Sequence, residues 1–191
     1  MTNYYKFLNI PTNCFDKGVV SSKIINTDFN SHRQLGKTEN NLLTSSFHDW
    51  LAKFSYEVSA LEVFRLTPNY VGQPTFHVDT DPIEEWSKIC FIWGSDNTYM
   101  HFGELVDQNI SYVPTTTSEN TRVVRFNSGE VNEVLSVKID KPILINVGKP
   151  HRASNPSSTP RYNLSICIKH INGGRVLYAD AVSAFSEYVL D

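Results

Sequence analysis

The chain has 191 residues, of which 40% are hydrophobic and 12% aromatic, and its formal net charge is −3. This length and composition predict one packed globular domain and exclude a disordered chain. The weak negative charge gives no basic stripe of the kind that nucleic-acid binding needs. No uncharged apolar stretch approaches the ~20 residues that cross a bilayer, so we expect no membrane segment.

The cysteines and the N-terminus indicate the compartment. Cys14, Cys90 and Cys167 are widely spaced and form no C-x-x-C pair, which argues against a disulfide framework. Cys90 and Cys167 lie in apolar runs and are expected to be small buried side chains. The first residues lack the cationic and apolar regions of a signal peptide. Together these features predict a cytoplasmic protein.

The first predicted element is a helix at 44–54. Phe47, Trp50 and Leu51 recur there at helical spacing, and Thr44 or Ser45 would be its N-cap. It follows an Asn-rich, turn-like stretch at 26–41. Beyond it the period changes, because residues 60–66 alternate apolar with polar side chains, which predicts a half-buried strand.

Short strands separated by turns make up most of the remaining chain. Clusters of Gly, Asn, Asp and Pro separate the predicted strands at 75–79, 88–93, 98–105, 121–127, 134–139, 142–147 and 161–169. A last helix is predicted at 178–189. This series predicts a mainly β, antiparallel sandwich or barrel with flanking N- and C-terminal helices. We expect a single domain, 1–191, with an N-terminal helix and strand extension at 1–57, a β core at 58–170 and a C-terminal helix at 171–191.

One histidine stands out among six. His77 alone has a carboxylate two positions later, Asp79, and residues two apart on a strand point to the same face. A second histidine from a neighbouring strand would complete a two-histidine, one-carboxylate triad with open coordination positions. His151 follows the apolar strand at 142–147 through a Gly-Lys-Pro turn and can supply it. The spacing therefore predicts a metal site.

Arg161 extends this site. It lies ten residues after His151, across the turn NPSSTP, so an antiparallel pair of strands would carry its guanidinium into the barrel. A buried guanidinium needs an anionic partner, and the far carboxylate of a metal-chelating 2-oxo dicarboxylate would supply one. Further hydroxyl and amide groups that could share in binding this dicarboxylate are Asn163, Ser165, Tyr99 and Thr98.

At these residues the chain resembles a known superfamily. The segments HVD at 77–79, KICFIWGSDNTYMHFGEL at 88–105 and ILINVGKPHRASNPSSTPRYNLSICI at 143–168 are similar to the iron(II)- and 2-oxoglutarate-dependent oxygenases. Within that superfamily, the closer resemblance is to small proteins of the aspartyl/asparaginyl hydroxylase-like and phage-encoded type. The resemblance implies a double-stranded β-helix, also called a cupin-like jelly roll.

The resemblance also implies residue roles. His77, Asp79 and His151 would be catalytic iron(II) ligands, and Arg161 would anchor 2-oxoglutarate. Many relatives carry serine where this chain has Asn163. The implied reaction is hydroxylation of a peptide side chain or a small metabolite, with release of succinate and CO2.

Two other functions remain open at this level. One is a cupin-like metal-binding or sugar-binding protein without 2-oxoglutarate activity; the other is a scaffold that kept the fold without catalysis. Outside the triad, His101 is expected to be a surface histidine, with a place beside the site as the alternative. Lys149 and Arg152 are expected to be solvated.

Overall fold

A computed structural model describes residues 3–16, 18–21, 35–37, 42–71, 75–79, 84–116 and 122–190. Its strands are β1 (Tyr5–Leu8), β2 (Leu35–Lys37), β3 (Tyr56–Leu66), β4 (His77–Val78), β5 (Ser87–Trp93), β6 (Tyr99–Leu105), β7 (Thr115–Thr116), β8 (Arg122–Arg125), β9 (Val131–Lys138), β10 (Ile143–Asn146), β11 (His151–Ser154), β12 (Arg161–His170) and β13 (Val189–Leu190). Its α-helices include α1 (Ser45–Ala52) and α2 (Tyr178–Ala184), and 3-10 turns lie at Thr12–Cys14 and Ser186–Tyr188.

The strands form two antiparallel sheets. The seven-stranded sheet has the order β13-β1-β10-β5-β12-β3-β2, and the six-stranded sheet has the order β7-β8-β4-β11-β6-β9. From β3 onward the chain passes back and forth between them, so that β10-β5-β12-β3 lie in one sheet and β4-β11-β6-β9 in the other. This strand order is that of a double-stranded β-helix, or jelly roll. The predicted fold class is confirmed.

The seven-stranded sheet is covered on both faces. On one face Val63, Leu164 and Ile166 pack in a buried cluster with Phe47 and Trp50 of α1. Because side chains alternate along a strand, their neighbours point to the other face, which lies against the six-stranded sheet. Apolar residues of both sheets meet there. That inner face also carries buried polar side chains, namely Glu62, Lys88, Arg161 and Ser165.

Helix α1 begins where the sequence predicts. The Thr44 side chain accepts a hydrogen bond from the backbone N–H of Phe47, an N-cap that satisfies one of the free donors of the first turn. Phe47 and Trp50 are buried beneath it. The helix ends at Ala52, and Ser55 with a φ of 60° turns the chain into β3. The strand therefore begins at Tyr56, earlier than predicted.

Several expectations about secondary structure were wrong. The C-terminal helix stops at Ala184, and Val189–Leu190 forms a strand that pairs with β1. Strand β1 was not predicted, because it is short and its partner β10 is far away in the sequence. The strand before the turn NPSSTP was expected to pair with the strand of Arg161, but β11 pairs with β4 and β6, and β12 lies in the other sheet. The polar residues of the strand at 60–66 do not all face water, since Glu62 is 3% exposed.

Other expectations have mixed outcomes. Cys90 and Cys167 are buried, as predicted; Cys14 is buried as well, and all three cysteines are free. Within the described part of the chain, no helix is both long enough and apolar enough to span a membrane. Nearly all of the turn-like stretch at 26–41 lies outside the described residues, and its described part, Leu35–Lys37, is strand β2 instead of a turn. The division into segments at 57 and 170 stays a prediction.

Candidate metal centre

The structure brings His77, Asp79 and His151 together. His77 on β4 and His151 on β11 are cross-strand partners, and their ring centroids are 4.4 Å apart. Asp79 follows β4 directly, and its backbone N–H donates to the carbonyl of Val147 at 3.1 Å. One ligand atom from each of the three residues lies within 4.8 Å of the others. Within the described ranges this is the group that could hold a metal ion.

Hydrogen bonding orients the distal histidine. The Nδ1 atom of His151 lies 2.9 Å from the carbonyl oxygen of Lys149, which only accepts, so Nδ1 carries a hydrogen and, in the neutral imidazole, Nε2 has the free lone pair. That Nε2 is 4.0 Å from Oδ2 of Asp79, and Nε2 of His77 is 3.4 Å from Oδ1. Two imidazole nitrogens and one carboxylate match the triad of non-haem iron oxygenases, so the donor set fits iron(II).

Two charged residues that the sequence analysis missed complete this centre. Lys88 on β5 donates to Oδ2 of Asp79 at 2.8 Å and to Oε2 of Glu62 on β3 at 3.3 Å. The side chains of Lys88 and Glu62 are 3% and 4% exposed. The sequence offers one signal for such a pair: Lys88 lies in the predicted apolar strand at 88–93. A lysine in a buried strand needs a partner of opposite charge, because Lys and Glu are almost never fully buried unless paired.

The charges shift each other's titration. Burial raises the pKa of Asp79, but Lys88, His151 and His77 outweigh burial and hold the pKa of this carboxyl well below its ordinary value. Burial lowers the pKa of Lys88, but Asp79 and Glu62 outweigh it and hold that pKa above the ordinary value. Asp79 is therefore ionised, as a metal ligand must be.

A cavity joins the triad to the predicted anchor residue. Its empty space, open mouth included, is about 790 Å³. Six of the eight predicted site residues line it: His77, Asp79, His151, Arg161, Asn163 and Ser165. Apolar side chains form much of the rest of the wall, with Phe64, Leu66, Met100 and Ile145 among them.

Arg161 is a buried cation in this cavity. The residue is 2% exposed and forms no ion pair with any described residue. Its Nη2 donates only weakly to Sδ of Met100 at 3.7 Å, and its Nε has no hydrogen-bond partner. Burial lowers the pKa of Arg161 to about 10, which still leaves it charged at neutral pH. A buried guanidinium without an acidic partner is suited to bind an anionic ligand.

Polar groups next to Arg161 come from the same strand. Asn163 and Ser165 lie two and four residues along β12, so they share its cavity face. The side-chain oxygen of Asn163 has no hydrogen-bond partner, and its amide nitrogen lies 3.9 Å from Sγ of Cys90. Burial raises the pKa of Cys90 to about 11, so that side chain stays a neutral thiol.

Thr98 and Tyr99 do not line the cavity, which corrects their predicted role. Met100 lines it, and Tyr99 precedes Met100 on β6, so alternation turns the tyrosine to the opposite face. Thr98 is fully buried, and its hydroxyl donates to the carbonyl oxygen of Ser154 at 3.3 Å. Neither side chain is placed to bind a molecule held by Arg161.

His101 also lies outside the cavity lining. Its Nε2 is 2.8 Å from Oγ of Ser154 on β11, and its Nδ1 is 3.0 Å from Oε1 of Glu133 on β9. The second oxygen of Glu133 accepts from Arg152 at 2.8 Å. His101 and Arg152 are thus paired side chains, not solvated ones. This network joins the strand of His151 to its neighbours.

No protein-family model and no curated protein matches the chain. Solved structures similar to it include an oxalate oxidase in complex with the substrate analogue glycolate (12% identity, TM-score 0.38, covering 91% of this chain and 77% of that one). EvdMO1 is similar at 13% identity and a TM-score of 0.45, covering 86% of this chain and 47% of that one. The Escherichia coli ribosomal oxygenase YcfD is similar at 11% identity and a TM-score of 0.35, covering 64% of this chain and 26% of that one.

The chain therefore spans about a quarter of the ribosomal oxygenase. At these identities and TM-scores the similarities carry no argument about activity. The jelly-roll fold rests on the strand order itself, and the chain's chemistry rests on the His-Asp-His cluster and the cavity beside it.

Proposed function

We propose that the protein is an iron(II)- and 2-oxoglutarate-dependent dioxygenase that hydroxylates a peptide side chain or a small metabolite, with release of succinate and CO2. One observation carries the proposal. A buried guanidinium without an acidic partner among the described residues lines the same cavity as a His-Asp-His cluster. A metal-chelating dicarboxylate would bind both groups: its 2-oxo acid end would chelate the metal of the His-Asp-His cluster, and its far carboxylate would pair with the guanidinium.

His77, Asp79 and His151 would hold the iron. When bound, iron(II) and 2-oxoglutarate would supply the dioxygen chemistry and the oxidative decarboxylation. The protein would hold the reacting groups in position and exclude competing reactions. The imidazole of His151 is fixed by the Lys149 carbonyl, so its Nε2 needs no reorientation on binding.

Arg161 would bind the far carboxylate of 2-oxoglutarate. Its Nε is without a partner, and an ion pair would replace the weak contact with Met100. The Ser165 hydroxyl and the Asn163 side chain, on the same face of β12, would add hydrogen bonds to the bound molecule. Phe64 and the other apolar wall residues would exclude water from this end of the cavity.

The substrate would reach the site from the open side of the cavity. Arg125, the cross-strand partner of His77 on that lining, is exposed. A peptide side chain and a small metabolite are both compatible with such an opening, so the substrate is proposed only at this level.

Anaerobic calorimetry tests the co-substrate. We expect 2-oxoglutarate to bind the wild-type protein loaded with iron(II), and Arg161→Met to weaken this binding by at least about 100-fold while iron(II) binding is kept, since a lost buried ion pair costs about 3–5 kcal/mol. Arg122→Met, which replaces an exposed arginine of β8, is the matched control and should bind as the wild type does.

Two outcomes would count against the proposal. Equal 2-oxoglutarate affinity in Arg161→Met and the wild type would refute the role of Arg161. Iron(II) binding without any 2-oxoglutarate binding in the wild type would instead favour a cupin-like metal protein. Succinate formation from 2-oxoglutarate, measured in air with the same proteins, completes the comparison.

A further inference from the structure

Three charged side chains that are at most 10% exposed form a chain that ends at the candidate metal ligand Asp79. Glu62 on β3, Lys88 on β5 and Asp79 after β4 come from both sheets, and Lys88 bridges the two carboxylates at 3.3 and 2.8 Å. Strand β12 lies between β3 and β5, so the long Lys88 side chain reaches across the inner face of the seven-stranded sheet. Lys88 and Glu62 are outside the set of residues that could hold the metal.

Stability alone does not account for this arrangement. Taking an ammonium and a carboxylate out of water costs several kcal/mol per ion, and apolar replacements of buried ion pairs are often neutral or stabilising. The Lys88–Glu62 pair lies on a face whose other buried residues include Cys90, Ile143 and Ile145. Apolar side chains would pack there, so the charges point to a role at the neighbouring site.

The geometry separates the two oxygens of Asp79. Oδ2 accepts the hydrogen bond from Lys88 at 2.8 Å, whereas Oδ1 lies 3.4 Å from Nε2 of His77. A carboxylate without such a partner can turn about its Cβ–Cγ bond and offer both oxygens to one cation. The ammonium of Lys88 opposes that rotation, because turning would break a short buried hydrogen bond.

Glu62 resolves the charge problem that Lys88 creates. A lysine ammonium next to Asp79 would cancel the carboxylate charge, and a dication would then meet a neutral ligand set. With Glu62 in contact, the Glu62–Lys88–Asp79 chain carries a net charge of −1, as Asp79 would alone. The positioning hydrogen bond is thus obtained without loss of negative charge at the centre.

We propose that Lys88 is a positioning residue that holds Asp79 as a one-oxygen metal ligand, and that Glu62 balances its charge. The inference rests on the metal-binding part of the proposed function and is independent of 2-oxoglutarate. Groups that orient a metal ligand typically change metal affinity by 10–100-fold when they are removed.

The test compares metal binding in two variants. Lys88→Met/Glu62→Gln removes the ammonium and its balancing carboxylate together, so the net charge of the group stays at −1. Its Kd for Mn²⁺ should rise 10–100-fold. The visible absorption spectrum of the Co²⁺-loaded variant should also change, because a two-oxygen carboxylate alters the coordination. Glu62→Gln alone keeps an acceptor for Lys88 and should raise the Kd for Mn²⁺ by about 3–10-fold, through charge.

The matched control is the partly exposed pair Lys169–Glu57, which joins β12 to β3, the strand that carries Glu62, at 2.7 Å. Lys169→Met/Glu57→Gln should leave the Mn²⁺ affinity and the Co²⁺ spectrum unchanged. Thermal melting without metal checks that each variant folds. If Lys88→Met/Glu62→Gln does not fold, the Mn²⁺ affinity of Glu62→Gln alone tests the proposal.

Unchanged Kd values and spectra in the Lys88 and Glu62 variants would overturn the positioning role and leave the proposed function intact. A wild-type protein that binds metal but not 2-oxoglutarate would refute the dioxygenase and leave the positioning role standing. A wild-type protein that binds neither Mn²⁺ nor Co²⁺ would refute both.

Discussion

Replacing Arg161 by methionine should stabilise the ligand-free protein. The guanidinium is buried and forms no ion pair with a described residue, so the folded state carries a charge that the unfolded chain exposes to water. Methionine has a similar length and no charge, and it can pack against Met100 and Leu66, which line the same cavity. The expected direction is the reverse of that for most core substitutions.

The size of the effect follows from the pKa. Burial lowers the pKa of Arg161 from its ordinary value to about 10. At ~1.36 kcal/mol per unit, the folded state disfavours the charged form by ~3 kcal/mol. Because the folded pKa lies below the unfolded one, this penalty is fully present below pH 10 and is relieved only as the pH rises through that value. At neutral pH the variant should therefore melt about 6–12 °C higher than the wild type.

Thermal melting at pH 7 without and with iron(II) and 2-oxoglutarate provides the assay. In the wild type, 2-oxoglutarate at 100 times its Kd should add about 2.7 kcal/mol of stability, and in Arg161→Met the same concentration should add at most ~0.4 kcal/mol. The free energy of unfolding of Arg122→Met should lie within ~0.5 kcal/mol of the wild-type value, because the substitution changes an exposed residue. A ligand-free Arg161→Met protein that melts at or below the wild-type temperature would show that the guanidinium is already compensated, and the reasoning would be wrong.

Thr44→Ala should cost about 1 kcal/mol of unfolding free energy in urea, through loss of the α1 N-cap, whereas Ser45→Ala, one residue later, should cost less. Hydrogen bonds from Arg152 and His101 outweigh burial and lower the pKa of Glu133 below 4.5, so its stabilisation is present above that pH and is lost as the pH falls through the folded pKa. Glu133→Gln should therefore lose less stability between neutral and acidic pH than the wild type; an equal loss would contradict the network. Gly148→Ala should weaken Mn²⁺ binding, because the added Cβ would meet the Glu84 carbonyl oxygen at 2.6 Å and displace the turn before His151.

Local chemistry was enough to predict much of the fold and part of the site. Helix α1 and its Thr44 cap follow from side-chain spacing over a few residues, and so do most strands of the core. The shared face of His77 and Asp79 follows from the two-residue period of a strand. Arg161 was predicted to face the cavity from an antiparallel pair of strands joined at NPSSTP. It does line the cavity, but β11 and β12 lie in different sheets, so this turn crosses between the sheets.

Tertiary structure decided the rest, because strand register and sheet order depend on partners far apart in the sequence. It excluded Thr98 and Tyr99 from the cavity, paired β1 with β13, and set His77 opposite His151. Glu62 and Lys88 are 26 residues apart on β3 and β5, and the local pattern of each strand gives no information about the other strand. Only the placement of β12 between those strands, and of Asp79 over the sheet they share, turns two isolated charges into a support for a metal ligand.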